Sequence, residues 1–237
     1  DVCRGVQHAH QKGLIHRDLK PSNVLVVEED GQPSPRLIDF GVAKAINPRP
    51  ALETAHTEIG QFIGTPAYMS PEQAGATGRD VDTRSDIYSL GALLYEILTE
   101  SPPFDSARLR EAPLLELQRI LREEEPPPPS ERAKSTRLRG DLDWIVMKAL
   151  EKERGRRYSS AEALAADVLR HLNDEPVLAS PPSTVYRLRK LVRRNQLRVI
   201  AAGAVVFALL IGGTLSFWGW REAIRERDQS EHRSHFV

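Results

Sequence analysis

His16-Arg17-Asp18-Leu19-Lys20-Pro21-Ser22-Asn23 places a lysine two residues after a carboxylate and a carboxamide five residues after it. An apolar run at residues 24–27 follows at once, and a second carboxylate stands sixteen residues past Asn23, in Asp39-Phe40-Gly41. A carboxylate that accepts a proton, a cation, and an amide with a carboxylate that can hold a hard divalent ion are the parts phosphoryl transfer requires. Taken singly, Asp18 reads as a cap or turn residue, Lys20 as a surface lysine and Asn23 as a turn former. It is their order and spacing that make a constellation.

Around this stretch the chain changes character. Residues 1–12 predict the end of an amphipathic helix with Gly13 closing it. Leu14-Ile15 predicts a short buried strand, and residues 24–27 and 36–38 predict two short strands joined by the turn Glu28-Glu29-Asp30-Gly31. Residues 42–63 show no sustained period, and Pro48 and Pro50 interrupt helix and strand alike. From there on the pattern is helical. Residues 86–98 are apolar nearly all round, which predicts a buried central helix with Ser85 as N-cap. Residues 114–121 and 141–150 follow as helices, with an exposed four-proline loop at 126–129 between them. Ser159-Ser160-Ala161-Glu162 matches a capping box opening a helix that runs to about residue 172.

The octet resembles the catalytic loop of the eukaryotic-like Ser/Thr protein kinases, and Asp39-Phe40-Gly41 resembles their magnesium loop. Gly64-Thr65-Pro66-Ala67-Tyr68-Met69-Ser70-Pro71-Glu72 is similar to the anchors that close the family's activation segment, with serine in place of alanine at position 70. The resemblance covers residues 1–172. It implies a mainly α, α+β kinase fold in which these residues form the helical C-terminal lobe and the N-terminal lobe is absent.

The resemblance also implies a role for each matched residue. Asp18 is the catalytic carboxylate, Lys20 the cation beside the transferred phosphate, and Asn23 and Asp39 the magnesium ligands, so ATP and Mg2+ are the implied cofactors and protein Ser/Thr hydroxyls the substrates. His16 and Phe40 are packing residues, and Gly41 lets the backbone turn. Thr65 hydrogen-bonds near Asp18 and Lys20. Glu72 pairs with a buried arginine, best matched by Arg156, with Arg157 the neighbouring register. Asp86 holds the loop backbone. Arg17, preceding the catalytic aspartate, implies control by phosphorylation of the activation segment, with Thr54 and Thr57 as candidate sites. A homodimer phosphorylating itself in trans is a further partner the family admits. Residues 1–15 contain no Gly-rich loop and no strand lysine to cradle ATP. Asp1 begins in mid-helix and the last residues lack a closing feature. The chain is therefore expected to be a piece of a longer protein, inactive by itself.

The chain of 237 residues carries zero formal net charge, but unevenly. Residues 1–186 hold 23 Lys and Arg against 29 Asp and Glu, whereas Arg187, Arg189, Lys190, Arg193, Arg194 and Arg198 crowd residues 187–198 with no acid among them. An acidic globule gives no reason to invoke nucleic acid. Cys3, the single cysteine, forms no internal disulfide and reads as a core thiol. Residues 199–220 run for 22 positions without a charge, long enough for a transmembrane helix. Basic residues before that run place residues 1–198 in the cytoplasm and 221–237 outside. The expected organisation is a kinase lobe at 1–172, a basic juxtamembrane linker at 173–198 able to touch membrane lipid, a span at 199–220, and the start of an outer region at 221–237. Three other readings compete. They are a pseudokinase or scaffold, a small-molecule phosphotransferase of the aminoglycoside-kinase type, and a helical interaction module with coincidental motifs.

Overall fold

The computed structural model describes residues 1–40, 66–75, 81–196 and a subset of positions between 200 and 218. Two units make it up, Asp1–Ser183 and Thr184–Val237. The first unit is rich in helix with one small sheet, as the sequence predicts. Helix α1 (Val2–Gln11) buries Val6 and Ala9. Gly13, at φ 74°, ends it in the left-handed conformation that glycine adopts without steric cost, its N–H donating to the His10 carbonyl at 3.0 Å. No strand forms at Leu14-Ile15, and Leu14 is exposed. The chain there runs as irregular backbone into the octet.

Strands β1 (Val24–Glu29) and β2 (Gln32–Leu37) pair antiparallel, from Val24 opposite Leu37 to Glu29 opposite Gln32. Asp30 and Gly31, both at positive φ, form the two-residue turn. The second strand is longer than its sequence predicts because it passes through Pro33 and Pro35. In a hairpin closed by two residues, the pairs Glu28–Pro33 and Val26–Pro35 fall at non-hydrogen-bonded positions. The missing N–H groups of both prolines are therefore ones the ladder does not use.

Helix α2 (Thr83–Thr99) is the core of the unit, with Ile87, Tyr88, Ala92 and Tyr95 fully buried. It starts earlier than residue 86. Asp82 is its N-cap, accepting from the Arg84 N–H at 2.7 Å, which frees Ser85 for another bond. Helices α3 (Ser106–Glu111), α4 (Leu114–Glu123) and α5 (Pro129–Arg132) follow. The four-proline run is held rather than loose. Pro126 and Pro129 are buried, and the Tyr95 hydroxyl donates to the Pro127 carbonyl at 2.9 Å. Helix α6 (Asp141–Ala149) packs on α2. The two approach so closely at Gly91 that an added methyl would come within 2.7 Å of the Ala149 Cβ.

Helix α7 (Ala161–Leu172) packs on α1 and α6. Its N-cap is Ser160, whose hydroxyl accepts from the Ala163 N–H at 3.1 Å. Asp167, fully buried, accepts from the Tyr158 hydroxyl, from Arg170, and from the backbone N–H groups of Leu178 and Ala179 at 2.8 and 2.9 Å. Val177 enters the core beside them. Residues 174–180, expected to belong to the 173–198 linker, are thus fastened to the globule, because a buried carboxylate needs donors and these amides supply them. Cys3 is partly buried, and burial pushes its thiol up from the ordinary value, so it packs rather than reacts.

In the second unit, α8 (Thr184–Arg194) is an amphipathic helix. Among the described residues no helix is long and apolar enough to cross a membrane. The 199–220 run lies partly outside those residues and 221–237 wholly outside them.

The α2–α6 contact yields a stability test. Gly91→Val is expected to cost about 2 kcal/mol in urea unfolding, in the range typical of an overpacked core. Ala149→Gly in the same chain should recover part of that loss, because it removes the methyl that the new side chain meets.

Candidate active site

The site is built on the buried Asp86 carboxylate in the first turn of α2. Its Oδ2 accepts from the His16 N–H at 2.8 Å and its Oδ1 from the Arg17 N–H at 2.8 Å. His10 Nε2 from α1 lies 2.7 Å from Oδ2. The Arg17 carbonyl accepts from Gln73 Nε2 at 2.7 Å, so both backbone polar groups of Arg17 are bound. That matters because Arg17 sits at φ 64°, a left-handed conformation that a non-glycine residue keeps only when its surroundings enforce it.

The constrained turn sets Asp18, Lys20 and Asn23 against one another. Lys20 Nζ donates to Asp18 Oδ2 at 2.9 Å. Asn23 Nδ2 donates to the Asp18 carbonyl at 2.8 Å and reaches toward Oδ2 at 3.4 Å. Leu19 turns the other way, into the core. The Asn23 amide nitrogen is committed to Asp18, which leaves the carbonyl end of that side chain as the one to face a cation.

Asp39 is brought in through its neighbours. The Ile38 N–H donates to the Asn23 carbonyl at 3.0 Å, and the Ile38 carbonyl lies 3.2 Å from His16 Nε2. Ile38 is therefore held at both ends, and Asp39 emerges from it at φ 55° with its side chain exposed. The His16 and Phe40 rings pack at a centroid distance of 4.7 Å. Asn23 and Asp39 offer an amide oxygen and a carboxylate, a hard donor set suited to Mg2+ with water and phosphate completing the shell. Among the described residues no group of three or more His, Cys, Asp and Glu gathers as a metal cluster. Gly41, Thr54, Thr57 and Thr65 lie outside the described residues.

The partner of Glu72 differs from the best sequence match. Arg157 Nη1 and Nη2 donate to the two Glu72 oxygens at 2.7 and 2.8 Å, and the Ser85 hydroxyl donates to Oε1 at 2.6 Å. Arg156 is exposed and faces Glu153. It closes the 3-10 turn Arg154–Arg156 on the solvent side, and the extended backbone of Arg157 redirects the next side chain inward. There it also donates to the carbonyls of Arg84, Glu151 and Lys152 and packs over the Tyr88 ring. Burial works to raise the Glu72 carboxyl, but the Arg157 and Ser85 hydrogen bonds outweigh it and hold the group below the usual carboxylate range. His10 and Gln73 carry part of this site without any sequence signal of their own, save that Gln73 adjoins Glu72, and Ser85, expected as an N-cap, donates to Glu72 instead.

Two outcomes test this pairing. Arg157→Ala is expected to destabilise the protein by about 3–5 kcal/mol by leaving a buried carboxylate unpaired, while Arg156→Ala stays within about 0.5 kcal/mol of the parent. A carboxyl lowered in the folded state adds stability above its ordinary range and loses it as pH falls through the lowered value. Urea midpoints measured from neutral pH into acid should therefore fall less steeply in Glu72→Gln than in the parent.

Comparison with known proteins follows the same lines. Residues 1–169 match the family model described as the protein kinase domain. The chain is 41% identical over 176 residues to serine/threonine-protein kinase PknB of Mycobacterium leprae (strain TN), covering 74% of this chain and 26% of that protein. It is 39% identical over 172 residues to serine/threonine-protein kinase PknB of Mycolicibacterium smegmatis, covering 72% and 25%. The chain thus spans about a quarter of the length of these relatives. Among solved structures, the PknI kinase domain of Mycobacterium tuberculosis aligns at 26% identity and a TM-score of 0.49, over 71% of this chain and 51% of that one.

Proposed function

This chain belongs to the protein kinase family, and we propose that it forms the catalytic-loop half of a Ser/Thr protein kinase that passes the γ-phosphate of ATP to protein hydroxyls. The observation that carries this reading is the contact of Asp18 with both Lys20 and Asn23 on a turn fixed by Asp86. Asp18 orients the substrate hydroxyl and accepts its proton. Lys20 sets positive charge beside the phosphoryl oxygens as charge moves across them. Asn23 and Asp39 would hold Mg2+, which when bound would neutralise charge on the phosphates. The relatives' names support serine and threonine as acceptors.

The Gly-rich loop and strand lysine that bind ATP in this family are lacking from residues 1–15, ahead of the octet, so residues 1–237 alone are proposed to transfer phosphate only at background rate. In a longer form that supplies those parts, Asp18→Asn should lower phosphate transfer from labelled ATP to a protein substrate by about 10²–10⁴-fold. Transfer by the 1–237 polypeptide at the rate of the longer form, or an unchanged rate in Asp18→Asn, would overturn the proposal. Arg17 is proposed to bind a phosphate on Thr54 or Thr57, and phosphopeptide mapping of the active protein should find one of them modified.

The uncharged run at 199–220, preceded by six basic residues, supports a single membrane anchor with residues 1–198 on the cytoplasmic side. Alkaline carbonate should then leave the chain in the membrane pellet. Release into the supernatant would exclude an integral anchor.

A further inference from the structure

We propose that α8 is an interfacial helix that lies on an anionic membrane surface, with its apolar side in the headgroup boundary and its arginines among the lipid phosphates and carboxylates. Val185, Leu188, Leu191 and Val192 are all exposed, Val185 at 75% and Leu188 at 61%. At about 100° per residue they fall within an arc of about 120° on the helix. Arg187, Arg193 and Arg194, also exposed, stand on the rest of the circumference. The helix has five basic residues and no acidic one. An apolar stripe flanked by cations is the pattern of a helix that rests in the plane of a bilayer.

Charge decides between occupants. A second copy of α8 would set the exposed Arg187, Arg193 and Arg194 against their own like charges, so self-association across this face is disfavoured. An acidic protein groove would complement only the cations. A bilayer complements them and also takes up the apolar stripe, and the uncharged 199–220 run begins five residues beyond Arg194. Juxtamembrane cations gain from anionic lipid additively near the surface. The proposal deepens the membrane-anchored reading and rests on it only for the bilayer being at hand.

The test uses the full 1–237 chain with Cys3→Ser, so that an introduced cysteine is unique. Leu188→Cys on the apolar stripe and Arg193→Cys on the basic side are each labelled with a polarity-sensitive dye. The labelled chains are then placed in vesicles of phosphatidylcholine, with or without phosphatidylserine. Phosphatidylserine is expected to shift the Leu188 dye to the blue and cut its quenching by aqueous acrylamide about three-fold or more. The Arg193 dye should stay in water, and added salt should reverse part of the Leu188 response. Equal quenching with and without phosphatidylserine, or equal protection of both positions, would overturn the proposal. Protection of Leu188 by polyglutamate without lipid that matches the phosphatidylserine effect would assign the face to an acidic protein instead. Carbonate extraction of the same samples keeps the two readings apart, since a chain released by carbonate but protected at Leu188 retains the interfacial helix and loses only the anchor.

Discussion

A single buried carboxylate holds the turn that carries Asp18 in place. Asp86 takes two successive backbone N–H groups, from His16 and Arg17, and a third contact from His10. A charge buried this deeply is tolerable only when it is well supplied with donors. The amides that satisfy it belong to the residues just before Asp18. The Arg17 carbonyl is taken in turn by Gln73, so the left-handed residue has no freedom to relax. The position of Asp18 therefore follows from the electrostatic demand of a residue on another helix.

The same helix turn serves two more segments. At consecutive positions of α2, the Arg84 carbonyl accepts from Arg157, the Ser85 hydroxyl donates to Glu72, and the Asp86 carboxylate accepts from the octet. Glu72 and Arg157 are themselves joined. The octet, the segment around Glu72 and the chain after α6 thus converge on one turn, whose own start is fixed by Asp82.

What the sequence made legible was the chemistry. Asp18, Lys20 and Asn23 stand close along the chain and the structure joins them by hydrogen bonds, while Asp39 is exposed and positioned only through Ile38. The buried central helix was legible from its apolar residues. The failures have local causes. Arg156 and Arg157 are chemically identical neighbours, and only the backbone after a 3-10 turn decides which points inward. Ser85 is a good N-cap by type, but Asp82 stands earlier and its carboxylate takes the Arg84 N–H. Pro33 and Pro35 argue against a strand until the hairpin register shows that their missing N–H groups are not needed. Residues 174–180 look like a linker because their anchoring donors are backbone amides, which leave no trace in composition.

That anchoring changes the mechanics of everything downstream. If the chain left the globule at Leu172, the last residue of α7, the leash to α8 would be eight residues longer than it is from Ser180. At about 3.5 Å per extended residue, that removes about 28 Å of slack. The volume swept by a tethered body grows steeply with leash length, and the local concentration it experiences falls accordingly. Asp167, outside the candidate site, therefore sets where the chain leaves the first unit. By holding two amides it fixes the point from which the chain runs on toward α8.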